Sequence, residues 1–218
     1  MKPQNATRQP DRLVAGFHSR NHLPHLKREG GAYFITFRLA GTLPAEVLRA
    51  LKDERGRILR GALAAKRPLT WPEQEDLFRW YSARVDAHLD AGGGECWLRQ
   101  PEIAGLVADA LRFFAGTRYG LPAWVVMPNH VHVVVRPLPG WTLSRVLQGL
   151  KGYTGHEANR RLGRAGEKFW QAESFDHLIR DDEDLHRCLS YTELNPVNAG
   201  LCALAENWPW SSAWRAPM

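Results

Sequence analysis

Apolar positions along this chain recur with two periods, and the switches between them mark its elements. Tyr33, Ile35, Phe37 and Leu39 alternate with Phe34, Thr36 and Arg38, which predicts a strand with one strongly apolar face after Gly30-Gly31. Residues 43–95 change to a helical period. Pro44-Ala45-Glu46 starts a charged helix through about Ala65. Trp71-Pro72-Glu73 starts a second to about Asp90, with Leu77, Trp80, Tyr81 and Val85 on one face, before Gly92-Gly93-Gly94. Pro101 opens the next helix at the favoured first position, with Ile103, Leu106, Val107, Ala110, Leu111 and Phe114 as its buried stripe. Ala123 to Met127 reads as a short strand, Pro128-Asn129 as a tight turn, and His130 to Arg136 as a valine-rich strand, because β-branched residues favour strands and Pro and Asn favour turns. Thr142 caps a long helix with Leu143, Val146, Leu147, Leu150 and Tyr153 on a common side. A last strand spans Ser174 to Arg180. Asp181-Asp182-Glu183 then starts a final helix that stops at Asn195, before Pro196.

The order is strand, helix, strand, strand, helix, strand and one extra helix. It predicts an α+β protein with a ferredoxin-like βαββαβ core and a four-stranded antiparallel sheet. Residues 43–95 form a helical hairpin inserted into a main domain of residues 31–201. Residues 1–30 hold Arg8, Arg12, Arg20, Lys27 and Arg28 among prolines and polar residues, and read as an irregular basic arm. Residues 202–218 form a Trp-rich tail of no clear period. The 218 residues suffice for one domain with such an insertion.

Composition narrows the class. At 44% hydrophobic and 24% charged, the chain is that of an ordinary globular protein. No stretch approaches the apolar run of a membrane helix, and the first ten residues lack the apolar centre of a secretory signal. The expected location is cytoplasmic, with no membrane partner. Cys96, Cys188 and Cys202 make neither a disulfide framework nor a metal knuckle. A net charge of +6 and a pI near 9.5 point to a polyanionic partner, nucleic acid first. The nine tryptophans fill cores or stack on unpaired bases.

Side chains alternate across a strand, so His130 and His132 share one face while Val131, Val133 and Val135 share the other. Two imidazoles on one sheet face can grip a metal ion while the valines fill a core; the alternative is a solvated face. In the final helix, Leu185, Cys188, Leu189 and Thr192 make the inward stripe. Tyr191 and Asn195, four residues apart, lie together on its flank. That suits a functional edge facing the sheet; a tyrosine beside an asparagine cap is the alternative. His177, on the edge strand, reads as packing.

Met127-Pro128-Asn129-His130-Val131-His132 resembles the His-hydrophobe-His motif of the HUH nucleases. Tyr191-Thr192-Glu193-Leu194-Asn195-Pro196-Val197-Asn198-Ala199-Gly200-Leu201 resembles the nucleophile helix of the REP-associated tyrosine transposases, single-tyrosine relatives of one insertion-sequence transposase family. His22-Leu23-Pro24-His25, residues 31–39, Leu150-Lys151-Gly152-Tyr153-Thr154, residues 169–177 and Trp208-Pro209-Trp210-Ser211-Ser212 match in order and spacing as well. The resemblance runs from about residue 22 to the tail and is weakest over 43–95.

The resemblance implies a divalent ion, Mg²⁺ or Mn²⁺, held by His130, His132 and Asn195. Related insertion-sequence enzymes more often place Gln at the third position, and Asn is one methylene shorter. It implies that Tyr191 attacks a phosphodiester of single-stranded DNA, leaving a 5′-phosphotyrosine link and a free 3′-hydroxyl, which a second strand's 3′-hydroxyl reverses. The implied partners are hairpins of repetitive extragenic palindromes (REP elements), bound by a monomer or homodimer in the nucleoid. By analogy Arg145, Lys151, Arg160, Arg161 and Arg164 are candidate backbone contacts, with the basic arm. The alternative is a ferredoxin-like protein that holds hairpin DNA or RNA without cutting it, a role that does not need the co-occurrence of His130, His132 and Tyr191. A replication initiator or relaxase on the same site is disfavoured by the short chain.

Overall fold

The computed structural model describes residues 16–20, 23–27, 30–67 and 69–216. Its centre is a sheet of β3 (Ala32–Arg38), β4 (Tyr119–Val126), β5 (His130–Pro137) and β6 (Phe175–Ile179), once β1 and β2 below are counted. The strand order is β4-β5-β3-β6 and every pairing is antiparallel. With the helices between them this is the predicted ferredoxin-like α+β arrangement.

Ahead of the sheet, β1 (Gly16–Arg20) pairs antiparallel with β2 (Leu23–Lys27), where the sequence suggested an irregular arm. Backbone pairing of two short neighbouring segments needs no apolar alternation, so nothing in the pattern announced it. Arg20 and Lys27 sit in these strands, while Arg8, Arg12 and Arg28 lie outside the described residues.

Each face of the sheet has its own cover. Tyr33, Ile35, Phe37, Val131, Val133 and Val135 point to one face. There Ile103, Val107 and Leu111 of α4 (Pro101–Phe113) meet Val146 and Leu150 of α5 (Leu143–Arg161). The opposite face carries Phe34, Val134, Phe175 and Ile179, packed under Cys188 of the last helix and Phe78 of the insertion. All seven residues of β3 are therefore buried, not one face of it. Tyr153 also departs from the predicted α5 stripe: it is 60% exposed, and the stripe turns instead through Thr154, Gly155 and Ala158. Gly155 lets the Trp170 indole approach to 3.2 Å of where a Cβ would stand.

The insertion is α1 (Ala45–Ala64), α2 (Trp71–Tyr81), one π-helical stretch over Ser82–Asp86, and α3 (Ala87–Asp90). The buried series is Glu75, Phe78, Val85, Asp86 and Leu89, with Leu77 and Trp80 only half-buried, and the wider π turn sets which face Leu89 and Asp90 present after it. The segment returns to the core at Gly94, whose φ is +71° and whose missing Cβ would lie 2.6 Å from Thr42 Cα. Gly94→Ala is expected to cost about 2 kcal/mol or more, from left-handed strain plus that collision. Urea unfolding measures it, and a loss under about 0.5 kcal/mol would mean the insertion is not seated this way.

The last helix, α6, spans Asp182–Asn198 and runs through Pro196 where the sequence suggested a stop at Asn195. A proline removes one N–H from the ladder, and so near the end the turn still closes through Ala199 N–H to Asn195 O and Gly200 N–H to Val197 O, both 2.9 Å. The tail lines the free edge of β4: Val126 N–H donates to Trp210 O at 2.8 Å and Ser212 N–H to Trp124 O at 2.9 Å. Among the described residues no helix is long and apolar enough to cross a membrane.

Candidate active site

Register places the imidazoles. Thr36 of β3 stands opposite His132 of β5, and Arg38 opposite His130. Both imidazoles are fully buried, so neither sits on a solvated face. The turn residue Asn129 fixes the first of them. Its Nδ2 donates to Leu89 O at 2.9 Å and Gly93 O at 3.0 Å, which leaves its Oδ1 as acceptor for His130 Nδ1–H at 2.7 Å. His130 Nε2 therefore carries the lone pair, and it faces His132 Nε2 at 2.9 Å. His132 Nδ1 meets Thr36 Oγ1 at 2.8 Å, a hydroxyl able to donate or accept. His132 can thus hold its proton on either nitrogen without moving. Burial pushes His130 down to about 3, partly offset by Asn195, and pushes His132 well below its ordinary value, with His130 adding to the effect. Both are neutral, the form that ligates metal.

Helix α6 brings the other two predicted residues to the same place. Asn195 is 1% exposed, abuts His130, and leaves its Oδ1 without a hydrogen-bond partner. The Tyr191 ring lies edge-on to His132 with centroids 5.5 Å apart, and edge-on to Phe34 at 5.6 Å. Tyr191 is half-buried, as a flank position suggests, while Asn195 is more deeply buried than that position suggested.

That insertion contributes two carboxylates the sequence did not single out. The Tyr191 hydroxyl donates to Asp86 Oδ2. One helical turn on, Asp90 Oδ1 lies 3.8 Å from His130 Nε2. The second oxygen of Asp86 and Oδ1 of Asp90 are buried without hydrogen-bond partners. Burial raises Asp86 to about 8 against the pull of the Tyr191 hydroxyl, with Asp90 adding to the rise, and burial raises Asp90 to about 6. Both acids sit in or just after the π stretch, in a segment whose pattern reads only as a helix. Thr36 was accessible to reasoning, as the polar residue on the less apolar side of its strand.

The donor set fits a small divalent cation. Ligand atoms about 2.1 Å from an octahedral ion stand about 3.0 Å apart on adjacent vertices, close to the imidazole spacing. Orphaned buried oxygens beside two lone-pair nitrogens are what an ion would satisfy. A second cluster, His177, Asp184 and Cys188, also gathers ligand-type atoms. It reads differently: His177 Nε2 contacts Asp184 at 2.9 Å, Arg187 Nη2 donates to the same carboxylate at 2.7 Å, and Arg187 Nη1 reaches Glu75 at 2.6 Å. Burial, then Asp184, pushes the Cys188 thiol up to about 12. A guanidinium already holds the carboxylate and the thiol stays protonated, so this is an ion-pair clamp between α6 and the insertion.

The basic candidates lie elsewhere. Helix α5 packs on the sheet face opposite the imidazoles, and with it Arg145, Lys151, Arg160 and Arg161. Arg160 and Arg161 are exposed and pair with Glu157, Arg164 pairs with Glu167, and Arg145 lies over the Trp141 ring. Lys151 uses all three donors on Gln171 O, Ala172 O and Ser174 Oγ. A large cavity of about 940 Å³, lined by Lys151, Asn159 and Trp170, lies on this side too. The chemistry is concentrated on the other.

Comparison with known proteins finds relatives of part of the chain. The IS200-like transposase family model matches residues 113–185, a span that includes both imidazoles and ends before Tyr191 and Asn195. The REP-associated tyrosine transposase of Escherichia coli K12 is 28% identical over 101 residues, covering 44% of this chain and 56% of the relative. A Haemophilus influenzae protein provisionally given the same name is 29% identical over 102 residues, covering 41% and 56%. The alignments thus span little more than half of either relative. In fold, the chain matches a solved REP-associated tyrosine transposase bound to a REP hairpin, with a TM-score of 0.50, 16% identity, and coverage of 90% of this chain and 82% of that one. This chain is similar to the REP-associated tyrosine transposases: an IS200-like transposase family model matches the segment around its two imidazoles, its sequence aligns in part with two such proteins, and its fold is like that of one whose structure is solved.

Proposed function

We propose that this protein nicks and rejoins single-stranded DNA at REP-type hairpins by transesterification on Tyr191, with Mg²⁺ or Mn²⁺ held by His130, His132 and Asn195. The observation that carries this is the convergence of two neutral imidazole lone pairs, an orphaned amide oxygen and a phenol in one pocket, the phenol edge-on to His132 with centroids 5.5 Å apart. The hairpin bound by the solved relative and the net charge of +6 support the DNA partner. They give no support to chemistry by themselves, since the fold also serves binding modules.

A phenol with an ordinary pKa of about 10 is a poor nucleophile at neutral pH. Asp86 supplies the acceptor. In its ionised form, a minority at neutral pH given its raised pKa of about 8, Asp86 takes the Tyr191 proton as the phenolic oxygen bonds to phosphorus and the P–O3′ bond breaks. The departing 3′-oxygen takes a proton from water, and the new ester keeps the 5′-phosphate on Tyr191. A 3′-hydroxyl from another strand reverses the exchange with no nucleotide cofactor. A bound divalent ion supplies Lewis-acid polarisation of the phosphoryl oxygen. Imidazoles alone would also take zinc, so the choice of Mg²⁺ or Mn²⁺ rests on the family.

Residues 31–201 are the catalytic unit in this reading, and residues 1–30 and 202–218 flank it. The imidazoles are fully buried, with α3 held to the Asn129 turn and the π stretch held to Tyr191, so a phosphodiester reaches them only when a covering element moves. Arg145, Arg160, Arg161 and Arg164 remain candidate backbone contacts; Lys151, with its donors engaged within the fold, does not. The test is incubation of the full chain with labelled hairpins from its own genome in Mn²⁺, scored for a covalent protein–DNA band. The band is expected with Mn²⁺ and lost with EDTA. Hairpin binding without any band would favour the non-cutting alternative.

A further inference from the structure

We propose, resting on the metal reading above, that Asp90 of the insertion is a fourth, anionic ligand of the cation site, and that the bound cation ties the insertion to the sheet. Two imidazoles and one carboxamide make a wholly neutral ligand set. Nitrogen ligands suit zinc and copper, whereas Mg²⁺ and Mn²⁺ favour oxygen, above all carboxylate. A dication in a fully buried pocket also needs compensating charge. Among the described residues, Asp90 is the acid whose carboxylate comes within 4.0 Å of the imidazole pair: its Oδ1 lies 3.8 Å from His130 Nε2, buried and without a hydrogen-bond partner. Asn195 Oδ1, equally without a partner, approaches the same imidazole from α6. The two orphaned oxygens come from different elements, one from the insertion and one from α6, so a shared ion would tie the two together.

The backbone around Asp90 supports a placed side chain. Asp90 ends α3, and the next turn is held by Asn129, whose amide donates to Leu89 O and Gly93 O. Asn129 also orients His130 through its Oδ1. One side chain therefore sets both the imidazole and the loop that presents the carboxylate, the kind of outer support that metal ligands have. This gives residues 43–95, where the resemblance to the transposases is weakest, a share in the site.

The probe is Mn²⁺ alone, titrated into the full chain and followed as the free-ion EPR signal. Asp90→Asn is expected to weaken Mn²⁺ binding by about tenfold or more. Mn²⁺ is also expected to slow amide hydrogen exchange over residues 82–94 in the wild type and not in Asp90→Asn. Equal Mn²⁺ affinity in the two proteins, or exchange over 82–94 that ignores Mn²⁺, overturns the role of Asp90 and leaves the imidazole site standing. If the wild type binds no Mn²⁺, the metal reading falls and Asp90 with it. If Asp90→Asn does not fold, as circular dichroism would reveal, the wild-type exchange measurement decides alone.

Discussion

Tyr191→Phe is expected to abolish the covalent protein–DNA band and to lower hairpin cleavage by at least about 10⁴-fold, since loss of a nucleophile removes the reaction path and not merely a contact. Hairpin affinity should stay within a few-fold of the wild type, because the phenol hydroxyl faces Asp86 inside the pocket and is half-buried. The ring contacts with Phe34, Phe78 and His132 survive the change, so the pocket keeps its shape. The hydroxyl itself has a structural share. Without it Asp86 loses the donor to its Oδ2 while its Oδ1 already lacks a partner. An unsatisfied buried carboxyl costs about 1–3 kcal/mol, and Asp86, relieved of the Tyr191 pull, would be driven further toward its protonated form. A modest fall in Tm with total loss of the band is therefore the signature. Cleavage by Tyr191→Phe at more than a few per cent of the wild-type rate would remove Tyr191 from its role.

What could be read ahead of the structure follows from the range over which each signal acts. The βαββαβ order, the shared face of His130 and His132, and the pairing of Tyr191 with Asn195 all rest on periods of two or four residues, which neighbouring positions fix. The burial of those same residues does not. It depends on a cover assembled from residues 43–95, and the register of that cover turns on a π stretch at Ser82–Asp86 that no local pattern marks. Asp86 reaches Tyr191 across 105 positions of sequence, so its part in the site was out of range of any short window. The tail escaped for another reason. Its edge pairing with β4 is made by backbone groups of Trp210 and Ser212, and backbone groups leave no trace in residue type. That the basic residues of α5 lie on the sheet face opposite the imidazoles was likewise out of reach, because charge density in sequence does not say which face of the sheet a helix covers.

Asp184→Ala is expected to be strongly destabilising and to leave Mn²⁺ binding alone. Asp184 is 3% exposed and accepts from His177 Nε2, from Arg187 Nη2 at 2.7 Å and from the Arg180 N–H at 3.3 Å. The change costs about 3 kcal/mol, the low end for breaking a buried charged pair, because the His177 ring loses its acceptor inside the fold while Arg187, whose side chain is 40% exposed, keeps Glu75. In a chain of this size that lowers Tm by roughly 10 °C. The loss should fall on the junction between α6 and the insertion, where Arg187 bridges Asp184 to Glu75. Burial works against the ionised Asp184, but His177 and Arg187 outweigh it and hold its carboxyl below the ordinary range. Its stabilising share is therefore complete above the usual carboxylate pKa of about 4 and is lost as pH falls through the depressed value. The acid limb of the wild-type stability curve should carry that slope, and the Asp184→Ala curve should lack it. Thermal melts from pH 7 downward, with Mn²⁺ titrations alongside, read both effects. If Asp184→Ala instead keeps its Tm and loses Mn²⁺, the two histidine clusters have exchanged roles: His177 would belong to the metal site, and the imidazoles of His130 and His132 would be a packed pair.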